Sequence, residues 1–209
     1  VPYFFSILLI FIAYLSGSIP VGFLVARLYG VDVTASGSGR TGGTNVLRAA
    51  GPVAAGLTVV GDVFKGLLPV FLMKAIGVPP LVLALAGTAA VLGHNYSIFL
   101  RFKGGVGAGT ALGALGGLYL WAGIIAAGCG LVALWLSGYA SILSSTIAVS
   151  SLILLVILAL AGYTPYGYIL FGVLTLLVMF YALRPNFARL RAGTERKIER
   201  KRKNAAGAS

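Results

Sequence analysis

The sequence predicts an all-α polytopic membrane protein with seven transmembrane helices, its N-terminus outside and its C-terminus cytoplasmic. Three observations carry that expectation. Of 209 residues, 59% are hydrophobic and only 10% are charged, whereas a soluble domain carries about 25%; a water-facing surface cannot be built from so few. Apolar runs recur along the chain, each long enough to cross a bilayer, where a membrane β-barrel would show short alternating segments. Finally, nine of the sixteen Lys and Arg lie between Arg184 and Lys203, after the last run.

The runs cover residues 3–28, 52–77, 81–100, 107–136, 139–161 and 165–183. The first lacks a basic n-region and exceeds the apolar core of a signal peptide, so it is expected to be retained as a helix. Arg40 and Arg48 place the polar stretch 30–50 in the cytoplasm, Arg101 and Lys103 do the same for 101–106, and the basic tail is cytoplasmic too. Two runs between the first pair of marks return the chain to one side, as required. Three runs between Lys103 and Arg184 do not. One of them must be two crossings, and 107–136 is the candidate, since it spans roughly 45 Å as a helix and carries glycines at 113, 116, 117, 123, 128 and 130. The alternative is one re-entrant run and five crossings in the same orientation. Lys74, near the outer end of the second run, is expected to snorkel. The layout divides the chain into a single transmembrane domain, 1–183, and a basic cytoplasmic tail, 184–209.

The net charge of +12 does not point to nucleic acid, because no aromatic residue interleaves the distal basic run. Anionic membrane lipid is the expected partner. Cys129 is the only cysteine, so no disulfide within the chain and no zinc site is expected. Most of the thirty glycines read as close helix packing in lipid.

Polar chemistry collects in three clusters that parity puts on one side: Ser36 to Arg48, Asp62 to Gly66, and His94 to Thr110. Asp62 and Lys65 lie two to three turns into a hydrophobic run, a placement that marks either a functional site or a self-neutralised pair fixing helix packing. At i and i+3 they share one helix face. Gly42-Gly43-Thr44-Asn45 and Gly104-Gly105-Val106-Gly107 each precede a helical pattern. Such glycine-rich turns let backbone N–H groups approach an anion at a helix N-terminus, although neither string is a Walker A motif or a GxGxxG fingerprint. Cations at 48, 65, 101 and 103 accompany them. His94, the only histidine, has no carboxylate three or four residues later.

These strings resemble the bacterial acyl-phosphate:glycerol-3-phosphate acyltransferase family of integral membrane enzymes, nearly end to end. The resemblance rests on Gly17-Ser18-Ile19-Pro20, Gly37-Ser38-Gly39, Thr44-Asn45-Val46-Leu47-Arg48, Asp62 through Gly66, Gly93-His94-Asn95, Phe102-Lys103-Gly104-Gly105, Arg184-Pro185-Asn186 and Gly193-Thr194-Glu195. It implies a seven-helix fold in the bacterial inner membrane with a cytoplasmic-facing site and no cofactor or metal. The implied reaction moves an acyl group from acyl phosphate to the sn-1 hydroxyl of glycerol 3-phosphate, giving lysophosphatidic acid and phosphate. The chain departs from the family pattern where Arg40 replaces an Asn and Gly43 an Ala, where Val106 stands at a lysine and Gly109 at an alanine, and where Leu183 stands at a histidine. Arg40 is expected to restore a cation by another route.

On that resemblance Ser38, His94, Asn95 and Lys103 are the candidate catalytic residues. Arg40, Thr44, Asn45, Arg48, Asp62, Lys65, Ser97, Gly104, Gly105, Gly107, Thr110 and Asn186 are the candidate substrate and phosphate ligands. An acyl phosphate is already activated, so positioning and oxyanion stabilisation suffice without a protein nucleophile. Either His94 or a substrate phosphate takes the hydroxyl proton, with the phosphate favoured. Two alternatives stay open: another polyol phosphate as acceptor, and a transporter of a phosphorylated solute built on a broken helix.

Overall fold

The computed structural model describes residues 3–198. Helices are α1 (Tyr3–Ser18), α2 (Val21–Leu28), α3 (Gly43–Ala75), α4 (Pro80–Asn95), α5 (Ala108–Leu118), α6 (Leu120–Ser137), α7 (Ala140–Leu160) and α8 (Tyr168–Arg191), with a 3-10 turn at Ile98–Leu100. Local chemistry places the breaks. Pro20 lacks an N–H and biases the residue before it away from helix, so the first run splits into α1 and α2 and leaves the Ser18 and Ile19 carbonyls free of helical partners. In α3, Gly51 takes φ 86° and ψ 179° ahead of Pro52, a conformation open to glycine. Gly51 therefore kinks α3 between a short first segment, which starts at Gly43 within the polar stretch 30–50, and the long apolar segment that starts at Pro52.

The long run 107–136 is divided, at Tyr119 (φ −154°). Six stretches of the described residues are long and apolar enough to cross a membrane: Tyr3–Leu28, Gly43–Ala75, Pro80–Leu100, Leu120–Ser137, Ala140–Leu160 and Tyr168–Arg191. The expected seventh, α5, has 11 residues and is about 16 Å long, short of the ~30 Å hydrocarbon core. Helix α8 continues without interruption through Leu183 to Arg191, so the first basic residues of the expected tail are helical; the stretch from 199 lies outside the described residues.

Packing runs on glycine, as the composition suggests. A side chain at Gly17 would strike the Ala90 backbone and one at Gly93 the Tyr14 carbonyl, so α1 and α4 touch backbone to backbone. Helices α3 and α5 do likewise where Gly66 faces the Thr110 carbonyl and Gly113 faces the Val63 carbonyl. In lipid such close approach, with its dispersion contacts, is a main source of helix association. Leu83, Leu115, Leu118, Phe171 and Met179 fill the space between. Lys74 does more than snorkel: its ammonium donates to the Leu118 carbonyl at 2.6 Å, closing the last turn of α5 with a cation. Outward, Trp121, Ile124, Val132 and Trp135 on α6 are exposed, the face lipid covers.

Candidate active site

The centre of the polar region is a buried ion cluster. Asp62 Oδ1 lies 2.8 Å from Lys65 Nζ and 3.4 Å from His94 Nδ1, and all of these side chains are nearly inaccessible. The i,i+3 pairing expected on α3 is present. The carboxylate that local sequence withholds from His94 arrives from α3, across the bundle. Lys65 Nζ also donates to the Ile19 carbonyl at 2.8 Å, and Ser97 Oγ to the Ser18 carbonyl at 2.5 Å. Both acceptors lie at the Pro20 break and lack helical i+4 donors; the Ile19 carbonyl also accepts the Val21 amide at 3.0 Å, and the side chains complete the pairing there.

Above the cluster the chain turns from α4 into α5. The Gly105 amide donates to the His94 carbonyl at 3.2 Å. A side chain at Gly104 would collide with the same carbonyl, and one at Gly105 with His94 Nε2. Gly107, the N-cap of α5, has φ 90°, and a Cβ there would lie 2.6 Å from Asn95 Oδ1. Asn95 is 4% exposed, and among the described residues neither amide atom has a hydrogen-bond partner; the same holds for the Thr110 hydroxyl in the first turn of α5 and for Asp62 Oδ1 and His94 Nδ1, which approach each other without a hydrogen bond. Unpaired donors and acceptors at a helix N-terminus make a seat for a polar, anionic group.

The first polar loop is held differently. Asn45 Nδ2 donates to the carbonyls of Val33 (3.0 Å), Ser36 (2.9 Å) and Arg40 (2.8 Å), while its Oδ1 accepts the Ser38 amide at 3.1 Å. Asn45 thus shapes the loop, leaving Ser38 exposed at its tip. Asp32 closes the start of the loop: hydrogen bonds from the Thr34 hydroxyl and amide hold its carboxyl below the usual range.

Arg40 reaches the other way. Its guanidinium donates to Asn186 Oδ1 at 3.0 Å and to the Ala182 carbonyl at 2.6 Å, both on α8. Burial and then the neighbouring Arg189 push its pKa below the ordinary arginine value, yet it remains a cation near neutrality. Asn186 Nδ2 donates to Glu195 Oε1 and Arg189 Nε to Glu195 Oε2, each at 2.7 Å. Burial pushes the Glu195 carboxyl up, but the hydrogen bonds from Asn186 and Arg189 outweigh it and hold it below the usual carboxylate range. Arg48 donates to the Arg196 carbonyl at 3.1 Å, and the Ile198 amide to the Gly138 carbonyl at 2.9 Å. The chain after α8 therefore lies across the first loop and the α6–α7 turn.

Of the expected residues, the structure gathers His94, Asn95, Asp62, Lys65, Gly104, Gly105, Gly107 and Thr110 around one turn, with Ser97 beside the helix break. Arg40 and Asn186 join through α8. Lys103 is exposed on the turn, Arg48 is exposed, and Thr44 is partly buried in the first turn of α3. Val106 packs against the apolar core and Leu183 is fully buried. Sequence reading missed the Ile19 carbonyl and the Arg189–Glu195 pair; the Pro20 break was the available signal for the first, and nothing local signals the second.

An apolar groove opens beside this site. A cavity of 360 Å³ is lined by Ile10, Leu85, Leu92, Leu174 and Val178 among others. A second, of 420 Å³, shares Leu92 and Val178 and reaches Tyr96 and Tyr181. The pair runs between α4 and α8 to within one residue of Asn95.

Residues 7–193 match the family model described as glycerol-3-phosphate acyltransferase. The glycerol-3-phosphate acyltransferase of Rubrobacter xylanophilus is 41% identical over 198 residues, covering 92% of this chain and 95% of that protein. A glycerol-3-phosphate acyltransferase of Thermus thermophilus is 43% identical over 191 residues, covering 90% and 92%. Among solved structures, the integral membrane glycerol 3-phosphate acyltransferase PlsY in its glycerol 3-phosphate form superposes with a TM-score of 0.84 at 34% identity, covering 93% of this chain and 96% of that one. Its lysophosphatidic acid form gives a TM-score of 0.83 over 93% and 95%.

Proposed function

The chain belongs to the glycerol-3-phosphate acyltransferase family, and from that premise we propose how it transfers an acyl group from acyl phosphate to the sn-1 hydroxyl of glycerol 3-phosphate, yielding lysophosphatidic acid and phosphate. One juxtaposition carries the reading: the buried polar atoms of Asn95 and Thr110 at the start of α5 lack hydrogen-bond partners among the described residues, and the apolar groove is lined by Tyr96, the residue that follows Asn95 at the end of α4. A substrate with an anionic head and a hydrocarbon tail needs that junction.

The polar pocket takes phosphate. Gly104, Gly105 and Gly107 let the turn pack down on His94 and Asn95, Lys103 supplies a cation on the turn, and Arg40 and Arg48 supply cations from the first loop and the start of α3. Ser38 and Thr44 border the acceptor on a loop that Asn45, expected as a ligand, instead shapes from within, and that Arg40 ties to Asn186 on α8. The acyl chain lies in the groove between α4 and α8, open to lipid. The sn-1 oxygen attacks the acyl carbonyl carbon, the bond from that carbon to the phosphate oxygen breaks, and the electron pair leaves with phosphate. The hydroxyl proton passes to a phosphate oxygen. His94 is poorly placed to take it, because Nδ1 faces Asp62 and Nε2 lies beneath Gly105. Positioned donors at the carbonyl oxygen stabilise the developing charge.

Seven crossings suit this site. Gly107 stands beside Asn95 at the inner end of α4, and Leu118 beside Lys74 at the outer end of α3, so α5 covers the interval between the two levels despite its length. Counting it, the tail and the loops at 30–42 and 96–107 share the cytoplasmic side, the N-terminus faces outward, and the membrane is the bacterial inner membrane. Residues 1–183 form the acyltransferase domain and 184–209 the basic tail against anionic lipid.

The test is purified protein in detergent with acyl phosphate and glycerol 3-phosphate, following phosphate release and lysophosphatidic acid together. Stoichiometric product is expected. Product only with another polyol phosphate would move the acceptor assignment; none with any acceptor would overturn acyl transfer.

A further inference from the structure

Four groups of the polar region are packed together and nearly inaccessible: Asp62, Lys65, His94 and the backbone of Gly105. Lys65 Nζ has the Asp62 carboxylate on one side and the Ile19 carbonyl on the other, both at 2.8 Å. His94 is 5% exposed, with Nδ1 on the Asp62 side at 3.4 Å. The position of a Gly105 Cβ would overlap Nε2, and the Gly105 amide donates to the His94 carbonyl. Gly109, in the first turn of α5, packs 3.1 Å (at its Cβ position) from the Asp62 Cβ. The imidazole is therefore clamped between α3 and the turn that begins α5.

We propose that His94 is a positioning residue: its ring, braced by the Asp62–Lys65 pair, is the support on which the Gly104–Gly107 turn rests. This deepens the acyl-transfer reading and depends on it. The chain of contacts runs from the carbonyl freed at the α1–α2 break, through Lys65 and Asp62, to the imidazole and then to the turn. Each link has a reason to be rigid. A buried ion pair left without one partner strands a charge, so Lys65 and Asp62 fix each other. A ring packed against backbone without an intervening Cβ leaves the turn no room to settle lower. Asp62 and Lys65 thus act on the substrate phosphate through the turn, not by touching it.

Gly105 makes the test clean. Its φ lies outside the left-handed range, so alanine there is tolerated by the backbone, and the three atoms nearest its Cβ all belong to the imidazole. Steady-state kcat and KM for glycerol 3-phosphate should be measured for Gly105→Ala, His94→Ala and the double variant, each checked for folding by thermal unfolding in detergent. Gly105→Ala is expected to raise KM by about tenfold or more, through overpacking of the turn against the ring, with a smaller change in kcat. In the His94→Ala background the same substitution is expected to change KM by less than about threefold, because the colliding atoms are gone and contacting residues couple. Multiplying effects would overturn the proposal. His94→Gln supplies the second measurement: the pH dependence of kcat should keep its wild-type shape, and loss of a limb with KM unmoved would identify His94 as the base instead. Failure of the wild-type protein to make lysophosphatidic acid would sink the acyl-transfer reading; an active wild type with multiplying effects would sink only the positioning role.

Discussion

Substituting Gly113 by alanine perturbs the site from a distance, through the α3–α5 contact alone. A methyl group there would overlap the Val63 carbonyl oxygen, and the next atoms it meets are also backbone, so no side chain can turn aside. Restoring an ordinary ~3.5 Å contact requires the two helices to part by roughly 1.5 Å. Overpacking of this kind costs about 1–3 kcal/mol, which for a chain of this size is a fall in Tm of about 3–10 °C. The larger effect falls on activity. Helix α5 carries Thr110 and the N-cap Gly107, and Gly109 rests on Asp62, so tilting or lifting α5 moves the phosphate seat relative to Asn95. A displacement of about 1 Å can cost on the order of 100-fold in rate. The assay is kcat/KM for glycerol 3-phosphate beside thermal unfolding in the same detergent. Gly128→Ala is the control, since a Cβ at Gly128 on α6 meets nothing within 4 Å; helix propensity then favours alanine by up to about 1 kcal/mol. Gly113→Ala with wild-type Tm and kcat/KM within about twofold would refute the argument that glycine contacts between α3 and α5 hold the site.

Asn45→Ala removes four hydrogen bonds from the first polar loop and takes their partner from the Ser38 amide and the Arg40 carbonyl, while the Val33 and Ser36 carbonyls keep backbone donors; a loss of about 2–4 kcal/mol is expected, read as a lower Tm. Asn45→Asp keeps an acceptor for Ser38 but confronts three carbonyls with a carboxylate, so it should be at least as damaging. For Glu195, the folded pKa lies below the usual 4.5, so its contribution is present in full above that value and fades as pH falls through the depressed one. The Tm gap between wild type and Glu195→Gln should accordingly be widest above pH 4.5 and narrow in more acidic buffer; a gap that widens on acidification would contradict the Asn186–Glu195–Arg189 linkage.

Some of this was legible in one dimension. Six apolar stretches, their lengths and the division of the long run at 107–136 follow from hydrocarbon thickness and from where glycine accumulates. The i,i+3 pairing of Asp62 with Lys65 follows from helix geometry. The family resemblance rests on short strings such as Thr44-Asn45-Val46-Leu47-Arg48 and Gly93-His94-Asn95, which local order alone preserves. Loop signals placed a helical pattern after Gly42-Gly43 and an apolar run from Pro52, and the structure separates the two by the kink at Gly51.

What only the tertiary structure decided is which polar groups meet. Asn45 turns inward to build its own loop, Arg40 binds α8, and Lys74 closes the end of α5. The Asp62–His94 approach joins α3 and α4 across the bundle. The reason is physical. Sequence periodicity tells which residues share a helix face, but the rotation of one helix against another is set by where backbones can touch. Here glycines at 17, 66, 93 and 113 fix those contacts, and their partners, the carbonyls and small residues of other helices, are distant in sequence. Composition made this chain a membrane protein; the fit of one helix against the next turned its scattered polar residues into a site.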